Sequence, residues 1–331
     1  MSGSRRPLAL VALLLALFVL PGAAETDTAE AGLTAGKAVV LGIVEGVTEY
    51  LPISSTGHLL LTEQLLDVGT SDETEDAADA YVIAIQAGAI LAVLVLYHER
   101  IRSMLLGVVG RDEVGRRLAV AVVVSFIPAA VIGFLFDDAI KDRLFNVWAV
   151  AAAWAVGGVV VLVVSRTFLD REAEVAEAAD PTPDDELDPA ESDETDRGGL
   201  STISVQQAAI IGVAQCLAMW PGTSRSLVTI VAAVVVGLSL PAAVEFSFLL
   251  GLATLGAATV YETAKSGGEI VDTFGVVNPL IGFAAAFVSA VVAIRWMVGY
   301  LQRHSFAIFG WYRIALAALT VVLAVTGVIE T

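Results

Sequence analysis

Glu45 and Glu49 stand four residues apart inside an apolar stretch. That spacing puts both carboxylates on one face of a helix. Carboxylates in a membrane segment are costly unless they bind something. Oxygen ligands suit Mg²⁺ or Ca²⁺, and Mg²⁺ is usually held by one or two carboxylates together with substrate phosphates. The pair therefore reads as a metal or acid–base site, with an exposed helix end as the plainer alternative. Ser54, Ser55, Thr56 and His58 follow in the same stretch. A hydroxyl beside an imidazole can serve as nucleophile and base, although a histidine among small turn residues also serves as a local hydrogen-bonding group. Far along the chain, Ser224, Arg225, Ser226 and Thr229 follow the turn Pro221-Gly222. An arginine in a membrane interior needs an anionic partner, and its planar fork matches phosphate oxygens. Hydroxyls and backbone N–H groups at a helix start complete such a cradle. The pooled carboxylates, hydroxyls, imidazole and arginine, without a lysine among them, fit metal-assisted phosphoryl chemistry better than ion conduction.

Both groups lie in interrupted apolar segments, about 36–66 and 203–235. Pro52 and Pro221 would each break a helix in mid-segment. Broken backbone at membrane depth is tolerated only where it is buried in protein or lines a wet cavity. Each segment is expected to be a re-entrant helical hairpin, entering and leaving on one side. The two also align, with one gap: Glu45 against Gln215, Pro52 against Pro221, Ser55 against Ser224 and Thr56 against Arg225. Three apolar runs of spanning length follow each copy, about 81–97, 118–136 and 147–165, then 240–261, 276–298 and 306–328. An odd number of spans inverts the second copy relative to the first. Paired broken helices in an inverted-topology repeat point to a binding site between them. The expected fold is an all-α integral membrane protein of six transmembrane helices and two re-entrant hairpins, in halves 36–166 and 203–329 joined by a cytoplasmic linker, 167–202.

Composition agrees with a membrane protein. The chain has 331 residues, 57% of them apolar and only 16% charged, yet its net charge is −18. A soluble domain would carry about 25% charged residues, so charge and apolar surface must be segregated. Residues 170–197 hold 13 acidic and two basic residues, most of the imbalance, and show no apolar period. They read as a disordered linker. Lysine is limited to Lys37, Lys141 and Lys265. Acid-rich, lysine-poor exposed segments suit a salt-rich cytoplasm, where repulsion is screened, so a halophilic archaeal source is an expectation. The acidic balance argues against a nucleic-acid partner. One cysteine, Cys216, excludes a disulfide framework.

At the amino terminus, Arg5-Arg6, the apolar run Leu8–Leu20 and Pro21-Gly22-Ala23-Ala24 resemble a secretory signal peptide over 1–24, with an uncleaved anchor as the alternative. Arg100, Arg102, Arg111, Arg116 and Arg117 place the loop 98–117 in the cytoplasm by the positive-inside rule. The first hairpin then opens outward and the second enters from the cytoplasm. Glu245 lies just inside a helix that Pro241 could start, so a helix-dipole role and a site role are evenly balanced. His98, His304, Tyr300, Trp311 and Tyr312 fit interfacial anchors.

The run Glu45-Gly46-Val47-Thr48-Glu49-Tyr50-Leu51-Pro52-Ile53-Ser54-Ser55-Thr56-Gly57-His58 resembles the first signature of the undecaprenyl-diphosphate phosphatase, or bacitracin-resistance, family. Pro221-Gly222-Thr223-Ser224-Arg225-Ser226 with Thr229 resembles its second, and Glu245–Leu250 and Arg303–Phe306 with Tyr312-Arg313 are similar to later stretches. The resemblance covers roughly 36–329. It implies an integral-membrane enzyme that removes the terminal phosphate of a polyprenyl diphosphate, served by a divalent cation, with its site open to the outer face of the cell membrane. By resemblance, Glu45 and Glu49 match the acidic motif used for metal and catalysis. Ser55 and His58 match positions proposed for nucleophile or base, water being the other nucleophile. Arg225 matches the phosphate-binding arginine, supported by Ser54, Thr56, Ser224, Ser226 and Thr229. Leu227 replaces a usual glycine, which would tighten the phosphate turn, and Gly251-Leu252-Ala253 lacks a usual proline. A polyprenyl-phosphate flippase is the competing function, because inverted repeats with broken helices are also a transporter design. A homodimer is compatible with all of this.

Overall fold

The computed structural model describes residues 33–69, 75–144, 146–169 and 199–329. The expected signal peptide or anchor at 1–24 and the acidic run 170–197 lie outside these residues. Within them the chain is helical and contains no strand. The first interrupted segment is α1 (Ala35–Thr48) and α2 (Ser55–Leu66). Next come α3 (Glu75–Leu96), α4 (His98–Val108), α5 (Glu113–Leu144) and α6 (Val147–Val164), which ends in a π turn, Ser165–Leu169. The second interrupted segment is α7 (Val205–Gln215), a 3₁₀ turn (Cys216–Met219) and α8 (Arg225–Val235). The chain continues through α9 (Leu240–Phe274), α10 (Val277–Leu301) and α11 (Ala307–Val325).

Six of these helices contain stretches long and apolar enough to cross a membrane: Ala77–Leu96, Glu113–Phe136, Val147–Phe168, Leu240–Lys265, Val277–Leu301 and Ala307–Val325. They coincide with the six runs marked by hydropathy. The chain is a multi-pass membrane protein. Helices serve this purpose because each satisfies its own backbone groups without water.

The structure departs from the hydropathy pattern at the span ends. α5 continues to Leu144 and α9 to Phe274, past the expected ends near 136 and 261. Hydropathy marks where lipid contact stops, whereas a helix stops only where backbone bonding does. The expected loop 98–117 contains α4, which folds back on α5. Asp112 closes that turn, accepting from Gly115 N at 2.9 Å and from Ser103 Oγ at 2.6 Å. These bonds, the Gly115 N–H foremost, hold its carboxyl below the usual carboxylate range.

Packing crosses between the halves. α1 lies along α10, and α7 lies along α5; α3 packs on α9 and α10, and α6 on α11. Gly42 and Gly212 make the two helix crossings close. A Cβ at Gly42 would collide with the Gly282 carbonyl, and one at Gly212 with the Ser125 backbone. Small residues at such crossings matter in lipid, where helix association rests on packing more than on water release. The largest core cluster joins Tyr50, Leu51 and Ile53 of the first break to Leu227 and Ile230 of α8 and Phe246, Phe248 and Leu249 of α9. Leu227 therefore fills the core.

Candidate active site

Each interrupted segment restarts at a serine with positive φ. Ser54 has φ 74° and ψ 106°, and Ser224 has φ 74° and ψ 114°. Such a conformation costs a non-glycine residue about 1–3 kcal/mol and clusters at functional sites. The two serines are the N-caps of α2 and α8. Their matching geometry moves the expected register by one residue. The two segments then align without a gap, Gly42 with Gly212, Glu45 with Gln215 and Ser54 with Ser224, so that Ser55 matches Arg225 and Thr56 matches Ser226. Gly222, with φ 85°, takes the place of Pro52, and Pro221 falls one position earlier.

Side chains satisfy the carbonyls that the breaks leave free, as backbone buried in a membrane requires. Arg313 on α11 is fully buried. It donates to Gly222 O at 2.8 Å, to Ala153 O at 2.9 Å and, more weakly, to Pro52 O at 3.4 Å. One side chain thus ties both breaks to α6. Trp154 Nε1 donates to Ile53 O at 3.0 Å, and Ser226 Oγ to Leu51 O at 2.8 Å.

Between the breaks lies a cavity of about 140 Å³. Glu49, Ser54, Ser55, Thr56 and Gln86 line it from the first half, and Ala218, Trp220, Pro221, Gly222, Ser224, Arg225 and Leu255 from the second. Glu49 is its hub. Ser55 Oγ donates to Glu49 Oε2, and Gln86 Nε2 reaches the same oxygen at 3.4 Å. Arg225 Nη2 lies 3.3 Å from the other oxygen, Oε1. Both partners of that ion pair are nearly buried, at 10% and 5% exposure, so it is screened far less than a surface pair. Arg225 Nη1 donates to Ser247 O at 2.9 Å, and its guanidinium sits 5.5 Å from the centre of the Tyr50 ring. Gly251 makes room for it, since a Cβ there would collide with the guanidinium.

The remaining expected residues take other places. Glu45 is fully buried, does not line the cavity, and has no hydrogen-bond partner on either carboxylate oxygen. A buried carboxylate so placed calls for a counter-charge. With Glu49 on the same helix face, it offers the oxygen donors a divalent cation takes. Among the described residues there is no group of three or more His, Cys, Asp and Glu side chains, so such a cation would rely on this pair, water and substrate oxygens. Ser226 and Thr229 are buried behind Arg225, where Thr229 Oγ1 accepts or donates at 2.7 Å to Ser247 Oγ. His58 is absent from the cavity wall. Its Nδ1 is 2.6 Å from Ser54 O and its Nε2 is 2.7 Å from Tyr312 Oη. The ring is engaged at both nitrogens and makes no bond to Ser55. Tyr312, read as an interfacial anchor, is also this histidine's partner. Glu245 pairs with Arg100 at 2.7 Å, away from the cavity, and Pro241 stands in the first turn of α9 as expected.

Gln86 and Arg313 were absent from the candidate residues. Each was visible as a lone polar side chain in an apolar run. Thr259 Oγ1 donates to Gln86 Oε1 at 3.3 Å, which leaves the amide N–H groups facing Glu49.

The family described as Bacitracin resistance protein BacA matches residues 38–319. The undecaprenyl-diphosphatase of Sorangium cellulosum is 43% identical over 283 residues, covering 85% of this chain and 84% of its own. Undecaprenyl-diphosphatase 1 of Chromobacterium violaceum is 44% identical over 278 residues, covering 84% and 92%. Undecaprenyl-diphosphatase 2 of Shewanella oneidensis is 38% identical over 283 residues, covering 86% and 96%. With the family model matching residues 38–319 and relatives 38–44% identical over most of both chains, the chain belongs to the bacitracin-resistance protein BacA family.

Proposed function

We propose that this chain is an integral-membrane phosphatase that hydrolyses undecaprenyl diphosphate to the monophosphate and inorganic phosphate, recycling a lipid carrier. The observation that carries this reading is one carboxylate, Glu49, with the Ser55 hydroxyl and Gln86 on one oxygen and Arg225 on the other. A hydroxyl bonded to a carboxylate is a nucleophile with its base. An arginine beside them is the fork that phosphate oxygens fit.

In the reaction, the terminal phosphate enters between Arg225 and Ser55. Arg225 turns its outer N–H groups from Glu49 to the phosphate oxygens, and N–H groups at the starts of α2 and α8 add to the cradle. Ser55 Oγ attacks phosphorus as its proton passes to Glu49. The bond from phosphorus to the bridging oxygen breaks, and the lipid monophosphate leaves with the electron pair and takes the proton from Glu49. Water then attacks the phosphoserine, giving a proton to Glu49, which returns it to Ser55 Oγ as phosphate departs. Gln86 keeps Glu49 aimed throughout. Glu45 with Glu49 would hold the divalent cation, Mg²⁺ or Ca²⁺, which when bound offsets charge on the phosphate oxygens.

The two breaks are read as re-entrant hairpins of an inverted repeat, 36–166 and 203–329. Three features support this reading: the shared serine geometry, Gly42 and Gly212 at matching crossings, and the exchange of α1 onto α10 and α7 onto α5. The arginines of α4 and the start of α5 support a cytoplasmic end there, hence a plasma-membrane enzyme with its cavity open to the outer face.

The test is phosphate release from undecaprenyl diphosphate by purified protein, with and without Mg²⁺ or Ca²⁺, and acid-quench trapping of labelled phosphate on Ser55. Ser55→Ala should abolish both. Wild type that releases no phosphate but moves the lipid monophosphate between leaflets would replace this reading with transport, and label found on His58 would move the nucleophile.

A further inference from the structure

We infer that Trp220 and the apolar stripe leading to it along α7 form the subsite for the first isoprene units of the lipid tail. This rests on the phosphatase reading above and adds where the tail leaves the head-group site. The cavity, at about 140 Å³, is smaller than the roughly 300–1,000 Å³ that encloses a drug-sized ligand. It can take the diphosphate but not the tail, so the tail must exit across one wall.

Among the lining residues Trp220 is a large apolar side chain left 44% exposed. Its indole Nε1 donates to Ala149 O at 3.1 Å, which fixes the ring at the mouth. The 3₁₀ turn Cys216–Met219 precedes it, and residues three apart are eclipsed on such a turn. Leu217 therefore stands over Trp220, and it is 67% exposed. Val213 and Ile210 extend the series at helical spacing, also exposed. The result is one apolar stripe, Ile210–Val213–Leu217–Trp220, that runs along the exposed side of α7 and ends in the wall holding Ser224 and Arg225. A lipid-facing stripe is ordinary in a membrane protein. This one is continuous with the polar cavity, and an amphiphile with a phosphate head and an apolar tail, as the proposed substrate is, needs both.

The experiment compares phosphate release from undecaprenyl diphosphate and from methyl diphosphate, which has no isoprene unit, by full-length protein in lipid nanodiscs. In Trp220→Ala the ratio of kcat/KM, long chain over short, should fall about tenfold, carried by KM. Trp220→Phe, which keeps an aromatic face, should recover most of the ratio. A general loss of folding lowers both substrates together and leaves the ratio unmoved; an unmoved ratio in Trp220→Ala overturns the inference. Independently of turnover, a prenyl monophosphate carrying a photoreactive group in its first isoprene unit should label the peptide containing Val213–Trp220. Labelling confined to other helices overturns the inference as well. If wild type cleaves neither diphosphate, the phosphatase reading falls while the labelling still decides the path of the tail.

Discussion

The two helix breaks are built on the same backbone and carry opposite chemistry. Both restart at a serine with φ 74°, and both face the same cavity. At matched positions the first has Glu45, Glu49 and Ser55, and the second has Gln215, Met219 and Arg225. In the reaction proposed above, the first supplies the acceptor of protons and the hydroxyl, and the second supplies the guanidinium. Even the buried pair in the deeper turn keeps its shape while losing charge: Glu45 and Gln215 are near-isosteric, both buried, and both without a hydrogen-bond partner. The lesson is that a strained turn can be kept as a scaffold while its side chains divide the labour of one reaction. The two breaks meet where Arg225 and Glu49 pair across the cavity, 3.3 Å apart.

That comparison can be broken experimentally. Glu49→Met gives the first break the residue of the second. It should lower the rate of phosphate release by about a thousandfold, in the range seen for removing a general base. Met219→Leu, a volume-conserving change in the second break, should stay within about twofold. Equal losses in the two variants would end the idea of divided roles. Next in size, Arg225→Lys keeps the charge and loses the fork. A fall of roughly ten- to a hundredfold in kcat/KM, mostly through KM, is expected in steady-state assays. Glu45→Gln copies Gln215 and tests the cation directly: the Mg²⁺ or Ca²⁺ activation curve should move on the order of tenfold to higher concentration. An unshifted curve would remove Glu45 from the metal site. The last prediction reads stability rather than turnover and falls on the turn itself. Gly222→Ala puts a side chain at φ 85°, with its Cβ 2.8 Å from the Val150 carbonyl. It should reduce stability by about 1–3 kcal/mol in thermal unfolding.

Much of this was legible in the residue order. Six apolar runs became six candidate spans, and both interrupted segments became helix–break–helix units. Glu49, Ser54, Ser55, Thr56, Ser224 and Arg225 line one cavity, as their shared small-residue turns implied. Other features were not legible, for identifiable reasons. Proline is the conspicuous breaker, so it anchored the register between copies, yet the backbone is set by the serines that follow. His58 looked like a base for Ser55 because the two are three residues apart. Tyr312, distant in sequence, takes its Nε2 instead. The roles of Gln86 and Arg313 were not legible because their partners lie on other helices.

Residue types and spacing by themselves determined that the chain is an all-helical membrane protein with acid, hydroxyl and arginine at two breaks. Those properties are local: hydropathy over a helix length, and side chains one turn apart. Only the tertiary structure decided that Glu49 meets Arg225, that Ser55 points at Glu49 while His58 does not, and that one buried arginine holds both turns. These depend on which helices cross and at what height, and that is settled by the fit of small residues such as Gly42 and Gly212 against a distant backbone.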